Sequence, residues 1–163
     1  GLAVVAGPGC GVKDPSAITL SIAAAKITIV AADGARHEFG MDAQGAVAFD
    51  GKPFGTLGKD GQLRAGTATV RMVKDGVVLV HGNVSNVTIS ADATFTLDGA
   101  EALRIAADGT ITGPLLADMD SPMFVATGAT LTYVGPPETR RALMFAFAAA
   151  LTSAPAQPLP PRP

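Results

Sequence analysis

Apolar and polar residues alternate over short runs along most of this chain, and the runs are joined by Asp-Gly. The pattern is clearest from Gly55 to Gly66, where one alternating segment runs into Asp60-Gly61 and a second runs out of it. Related copies occupy Ile27–Gly40 (turn Asp33-Gly34), Val70–Gly82 (Asp75-Gly76) and Leu103–Gly113 (Asp108-Gly109). A worn copy at Val87–Gly99 has Asp92-Ala93 where the turn should be. Asp-Gly between alternating apolar residues is a strong hairpin signal, because a type I′ turn needs positive φ at both central positions.

In chain order, Ile18, Leu20 and Ile22 alternate with Thr19 and Ser21 and predict a half-buried strand. Strands follow over Lys26–Ala31, Arg36–Met41, Ala46–Phe49 and Phe54–Leu57, the last entered just after Pro53, which has no amide hydrogen to donate. Further strands are expected on both sides of Lys74-Asp75-Gly76, and Val77–Val80, apolar throughout, is expected to be covered on both faces. Val87–Ser90, Thr94–Leu97, Leu103–Ile105, Thr110–Thr112, Phe124–Val125 and Thr130–Val134 complete the series. Roughly ten to thirteen short strands at such spacing indicate a sandwich, barrel or stacked hairpins. The Asp-Gly pairs are unevenly spaced, which favours a meander or sandwich over a strict solenoid. An unclosed array leaves edges, and Lys52, Pro53, Lys59 and Arg64 have the character of residues that discourage edge pairing.

The alternation ends at Pro136-Pro137. Proline suits a first helical turn, Glu138 complements the positive helix end, and Arg140-Arg141 opposes it. Ala142–Leu151 is an unbroken apolar run, about 15 Å of helix and too short for a membrane span of about 20 residues. A helix apolar all round must be covered. It is expected over 138–151, packed on an open face or end of the sheet, with a protein partner, self-association or a membrane surface as the other ways to cover it. The fold class is thus all-β, an antiparallel meander or sandwich of short hairpins with one short C-terminal α-helix packed on it. One domain spans 17–152, and the Pro-rich tail 153–163 is expected to be disordered.

Composition adds mostly exclusions. The chain has 163 residues, 48% hydrophobic and 16% charged, enough for one ordered core without disulfide or metal. A net charge of −2 gives no basic footprint for nucleic acid. No Trp and a single Tyr, Tyr133, leave little for aromatic platforms that stack sugars or bases.

Candidate chemistry is sparse. Six aspartates, Asp33, Asp50, Asp60, Asp75, Asp98 and Asp108, each precede glycine, and a turn role accounts for them. The Asp-x-Asp-x-Asp-Gly calcium loop is missing. Asp118-Met119-Asp120 is the one close acid pair outside a turn, so any cation site is expected there, with Glu101 as helper; a solvated loop is the simpler account. His37 and His81 are the only histidines, and with one cysteine they exclude a zinc site of usual spacing. His37 and Glu38 point to opposite faces of a strand, and each histidine reads best as a surface strand residue. No Gly-x-Ser-x-Gly elbow is present, and Gly7–Gly11 is not a phosphate loop. No cofactor is expected. An enzyme would need a cleft gathering His37 or His81 with Asp118 or Asp120.

The chain opens on Gly1 and not Met, as a processed chain or a fragment would. Residues 1–10 are apolar and small, with no charge before Lys13, like the end of a secretory signal peptide. Gly7-Pro8-Gly9-Cys10 resembles the lipobox of bacterial lipoproteins, which implies lipidation at Cys10, with Gly7-Pro8 standing where Leu and a small residue are usual. Residues 1–16 are then a signal remnant and tether. Asp50-Gly51-Lys52-Pro53-Phe54-Gly55 and Lys59-Asp60-Gly61 resemble secreted or lipidated bacterial envelope proteins built of Asp-Gly hairpins; the resemblance covers roughly 18–113 and implies no activity. The expected function is a non-enzymatic structural or interaction domain, exported and periplasmic or held at the outer membrane by lipid on Cys10. The alternative is a soluble binding module that takes a small apolar or lipid-like ligand between the sheet and the C-terminal helix.

Overall fold

Each alternating run from Ala25 onward becomes a strand because its apolar members share one face. The computed structural model describes residues 17–31, 33–66, 68–114 and 129–153. Cys10, Asp118, Asp120, Phe124–Val125 and the 154–163 tail lie outside the described residues. The strands are β1 (Ala25–Val30), β2 (Arg36–Met41), β3 (Ala46–Phe49), β4 (Lys52–Leu57), β5 (Gln62–Ala65) and β6 (Ala68–Met72). They continue as β7 (Val77–Val80), β8 (Asn83–Ile89), β9 (Thr94–Leu97), β10 (Ala100–Ile105), β11 (Thr110–Thr112) and β12 (Thr130–Val134). Neighbours in sequence pair antiparallel, and β12 returns to β1 through Leu131↔Ile29 and Tyr133↔Ile27. The all-β sheet is therefore a closed barrel. A 3₁₀ turn (Pro137–Thr139) leads into helix α1 (Arg140–Ser153).

Closure follows from what α1 is. Every residue from Ala142 to Ala150 is at most 6% exposed, so no side of the helix is left for water. It approaches β8 and β9 on one side and β2 and β4 on the other, which places it in the lumen. An eight-stranded barrel is filled by its own side chains; twelve strands leave room, and the helix fills it. Ala142 and Ala146 let the sheet come close, while Phe145 and Phe147 reach into the inward faces. Phe147 meets Phe39 edge-on at 5.2 Å, and Phe39 meets Phe54 at 6.0 Å. Burying Leu143, Met144, Phe145 and Phe147 contributes roughly 1.5–3 kcal/mol each. The helix expected to pack on an open face or end of the sheet is thus covered by the inner face of the barrel.

A closed barrel has no edge strand, which corrects the edge expectation for Lys52, Pro53, Lys59 and Arg64. β4 pairs with β3 through Phe49↔Lys52 and with β5 through Thr56↔Arg64. Pro53 is tolerated because the β3–β4 register shifts between Val47 and Ala48, at a bulge. Val77–Val80 is not fully covered: only Val78 is buried, Val77 and Leu79 on the opposite face are half-buried, and Val80, on Val78's own face, is 39% exposed at the strand end. The outward face carries Thr28, Glu38, Arg64, Arg104, Thr110 and Thr132. Strands of three to seven residues with polar outer faces differ from a lipid-facing wall, which needs about 9–11 residues per strand and an apolar outer band.

The described turns are of two kinds. At the upper rim, Asp50-Gly51, His81-Gly82 and Asp98-Gly99 have φ of 51/81, 51/82 and 54/82°, the type I′ signature. In the turns ending at Gly34, Gly61, Gly76 and Gly109 only the glycine has positive φ. There the glycine N–H returns to the carbonyl three residues back, so these loops hold one more residue and close with a glycine bulge, not a type I′ turn. At the lower rim the bulge position recurs as Gly45, Gly61, Gly76, Ala93 and Gly109, every 15–17 residues. Its carbonyl accepts from the strand end leading to the next lower-rim loop: Leu57 N, Met72 N and Ile89 N at 2.8 Å, and Tyr133 N at 2.7 Å from Gly109. The Ala93 copy is stretched, with Ile105 N at 3.3 Å.

The lower rim is also capped. Ile18 and Leu20 are buried although their segment is not a strand; Leu20 N donates to Lys59 O at 2.7 Å and the chain runs across the barrel end. Arg141 donates from Nη2 to Ile89 O at 2.9 Å, and Arg140 from Nη1 to Ile105 O at 3.2 Å. Charge-assisted bonds of about 1.5–3 kcal/mol outweigh a dipole penalty of about 0.3–1 kcal/mol, which explains two arginines at the positive end of a helix. The Tyr133 hydroxyl donates to Pro136 O, and burial pushes its phenol from 10.0 up to about 12.

The capped rim can be tested at Gly76, Ala93 and Tyr133. A Cβ on Gly76 would lie 2.2 Å from Ile89 O at φ +87°, so Gly76→Ala is expected to cost more than about 2 kcal/mol in urea unfolding. Ala93→Gly, relieving φ +66°, is expected to gain about 0.5–1 kcal/mol after the entropy of glycine is counted. The folded Tyr133 keeps a proton that the unfolded chain releases, so its contribution is complete below pH ~10 and is lost as pH rises toward about 12. Tyr133→Phe is therefore expected to be about 1 kcal/mol less stable at pH 7, with the gap to the parent shrinking between pH 10 and 12.

Candidate functional site

With the lower end capped, the accessible interior lies at the upper rim. There the C-terminal half of α1 stands away from β6, β7 and β8 and leaves a cavity of about 340 Å³. Its walls are Val70, Val78 and Val87 from the strands and Phe145, Ala148 and Ala149 from the helix. Its polar edge is His81, Ser85, Asn86 and Thr152. Volume and lining match a small-molecule pocket, mostly apolar with few polar groups.

Local sequence explains the gap. The β7–β8 register shifts between Val77 and Leu79, so Val78 faces extra residues on β8. Ser85 stabilises this bulge, donating from Oγ to Val78 O at 2.7 Å and accepting from Val87 N at 3.1 Å. The bulge bends β8, and above Phe145 the helix opposite presents the small side chains of Ala148 and Ala149. Asn86 donates from Nδ2 to Asp98 Oδ1 at 2.7 Å, tying the His81-Gly82 hairpin to the next upper-rim turn. Thr152 Oγ1 donates back to Ala148 O at 2.8 Å.

A second arrangement lies across the same rim. His37 shares the inward phase of Phe39 and Met41, stacks on Phe49 at 5.7 Å and approaches Asp50 Oδ2 at 2.7 Å through Nδ1. Asp50 Oδ1 also accepts Glu38 N at 2.8 Å. The His37 bond, followed by that amide, holds the Asp50 carboxyl below its ordinary value. A carboxylate on Nδ1 fixes the proton there and leaves Nε2 as the acceptor of a neutral ring. Nε2 is buried without a partner among the described residues, so no hydroxyl of theirs is set up as a nucleophile. His37 and His81 are five strands apart around the ring, with α1 between them.

The turn aspartates have the structural role read from sequence: Asp33, Asp60 and Asp108 accept the amide two residues on, at 2.9, 3.1 and 2.9 Å. Glu101, the expected helper of a cation site, instead pairs with Arg104 at 3.0 Å. Among the described residues no three His, Cys, Asp or Glu side chains gather as metal ligands. A larger trough of about 630 Å³ on the outer wall of β1–β3 is floored by Ala24, Gly40, Ala46 and Ala48, and its charged groups are the exposed Lys26–Glu38 pair at 3.1 Å and Asp42. The site residues missed from sequence are Ser85, Asn86 and Thr152. The signal that was available is His81-Gly82, since histidine is enriched among residues with positive φ.

Comparison with protein-family models, curated proteins and solved structures finds no match to this chain.

Unfilled space makes a prediction. Ala148→Leu, which adds methyl groups beside the cavity, is expected to leave stability within about 1 kcal/mol of the parent. Ala146→Leu, on the packed side, is expected to cost about 1–3 kcal/mol. Equal losses in urea unfolding would show that Ala148 has no free space beside it.

Proposed function

We propose that this protein is a non-enzymatic binding module that holds a small apolar or lipid-like molecule between the barrel wall and the upper half of α1. The observation that carries this reading is the 340 Å³ cavity, apolar on both walls and polar only at its mouth. Two features support it further. The lower rim is capped by Ile18, Leu20, Arg140 and Arg141, so among the described residues the cavity opens at the other end, and the bulge at Ser85 is fixed by two hydrogen bonds, so the gap is built into the backbone.

The resemblance to bacterial envelope lipoproteins adds a second, compatible reading, a structural or interaction domain tethered through Cys10. It rests on Gly7-Pro8-Gly9-Cys10 and on the Asp-Gly hairpins quoted for that resemblance.

The test is titration with N-phenyl-1-naphthylamine, a neutral apolar fluorophore. Saturable one-to-one enhancement is expected, reduced at least fivefold in affinity by Ala148→Leu. Enhancement that never saturates, or that ignores the substitution, would overturn the site.

A further inference from the structure

The mouth of this cavity has a definite electrical sense. α1 ends beside it, and Thr152, one residue from the helix end, lines it. The last carbonyls of a helix lack intrahelical partners and carry about half a negative charge between them. No basic residue occupies the last turn of α1 to offset that. Among the described lining residues there is no Lys or Arg. The nearest formal charge tied to the mouth is Asp98, whose Oδ1 holds Asn86 Nδ2 and so leaves the Asn86 amide oxygen as an acceptor. Ser85 has its hydroxyl hydrogen committed to Val78 O, and Thr152 has its own committed to Ala148 O. What faces an incoming head group is therefore carbonyl oxygen, hydroxyl lone pairs and a carboxylate, beside the His81 ring.

We infer that the ligand is an apolar amine: an aliphatic or aromatic body in the cavity, with a protonated amino group at the mouth between the end of α1 and the Asn86–Asp98 pair. This rests on the cavity being a ligand site. An ammonium donates up to three hydrogen bonds and accepts none, which matches a mouth made of acceptors. A fatty acid is disfavoured at the same place, because its carboxylate would meet the negative helix end and Asp98 with no Lys or Arg among the described lining residues to receive it. The charge of the head group, and not the length of the chain, is what this mouth discriminates.

The experiment is displacement of N-phenyl-1-naphthylamine from the full chain by three probes of one chain length: n-octylamine, 1-octanol and octanoate at pH 7. Octylamine is expected to displace at about tenfold lower concentration than octanoate, with octanol between, and the spread should narrow as salt is raised. Asp98→Asn preserves a side chain suited to φ +54° and still accepts from Asn86. It is expected to cut the amine preference roughly threefold without changing octanol. Octanoate displacing as well as octylamine, or better, would overturn the amine inference and leave the cavity as a site. Fluorophore that binds without saturation, with no displacement by any probe, would remove the site itself and the inference with it.

Discussion

A helix with no polar side controls this architecture. Ala142–Ala150 is apolar around its whole circumference, and an isolated segment of that length and character does not persist in water. One sheet face would cover half of it. Only a wall that returns on itself covers the rest, and the same closure removes the unpaired edges of the twelve strands. Barrel and helix thus complete each other: the lumen of twelve strands is too wide for strand side chains alone, and the helix is too apolar to stand outside.

The lower rim makes this arrangement specific. Its bulge carbonyls each receive an amide from the strand end before the next lower-rim loop, so neighbouring hairpins are linked in series. Arg140 and Arg141 join the helix to that series by donating to Ile105 O and Ile89 O. Ile89 is a shared point: its amide bonds Gly76 O and its carbonyl receives Arg141. Helix orientation and hairpin register are therefore set by the same atoms. Burial without such bonds would allow α1 to slide or rotate, since a largely alanine surface resists neither strongly.

Much of this was legible in the residues. Alternation located every strand from β1 to β12 among the described residues except β5, which was implied by the run from Gln62 to Ala65, and the helix began two residues later than Glu138 because its first turn is 3₁₀. The repeat was hidden for a physical reason. Asp-Gly serves two rims with different turns, so Asp50-Gly51 and Asp98-Gly99 interrupt a lower-rim series in which Gln44-Gly45 and Asp92-Ala93 are members without the dipeptide. Closure was illegible because the β12–β1 pairing joins Leu131 to Ile29 across about a hundred residues, and local patterning carries no information on such a pair. The cavity was illegible too. It depends on a bulge at Ser85, which is an ordinary strand serine until its partners at Val78 and Val87 are known.

The two ends of the barrel differ in what they must do. At the lower rim the helix N-terminus, the Ile18–Leu20 segment and the glycine bulges all bond backbone groups: Arg141 places Nε and Nη2 on Ile89 O, and Leu20 N donates to Lys59 O. At the upper rim three of the described turns, at Asp50, His81 and Asp98, hold two residues each. The helix C-terminus lies at this end with no basic residue in its last turn. Here the stapled end bears the orientation of α1, which frees the other end to keep a gap beside Ala148 and a mouth lined with acceptors.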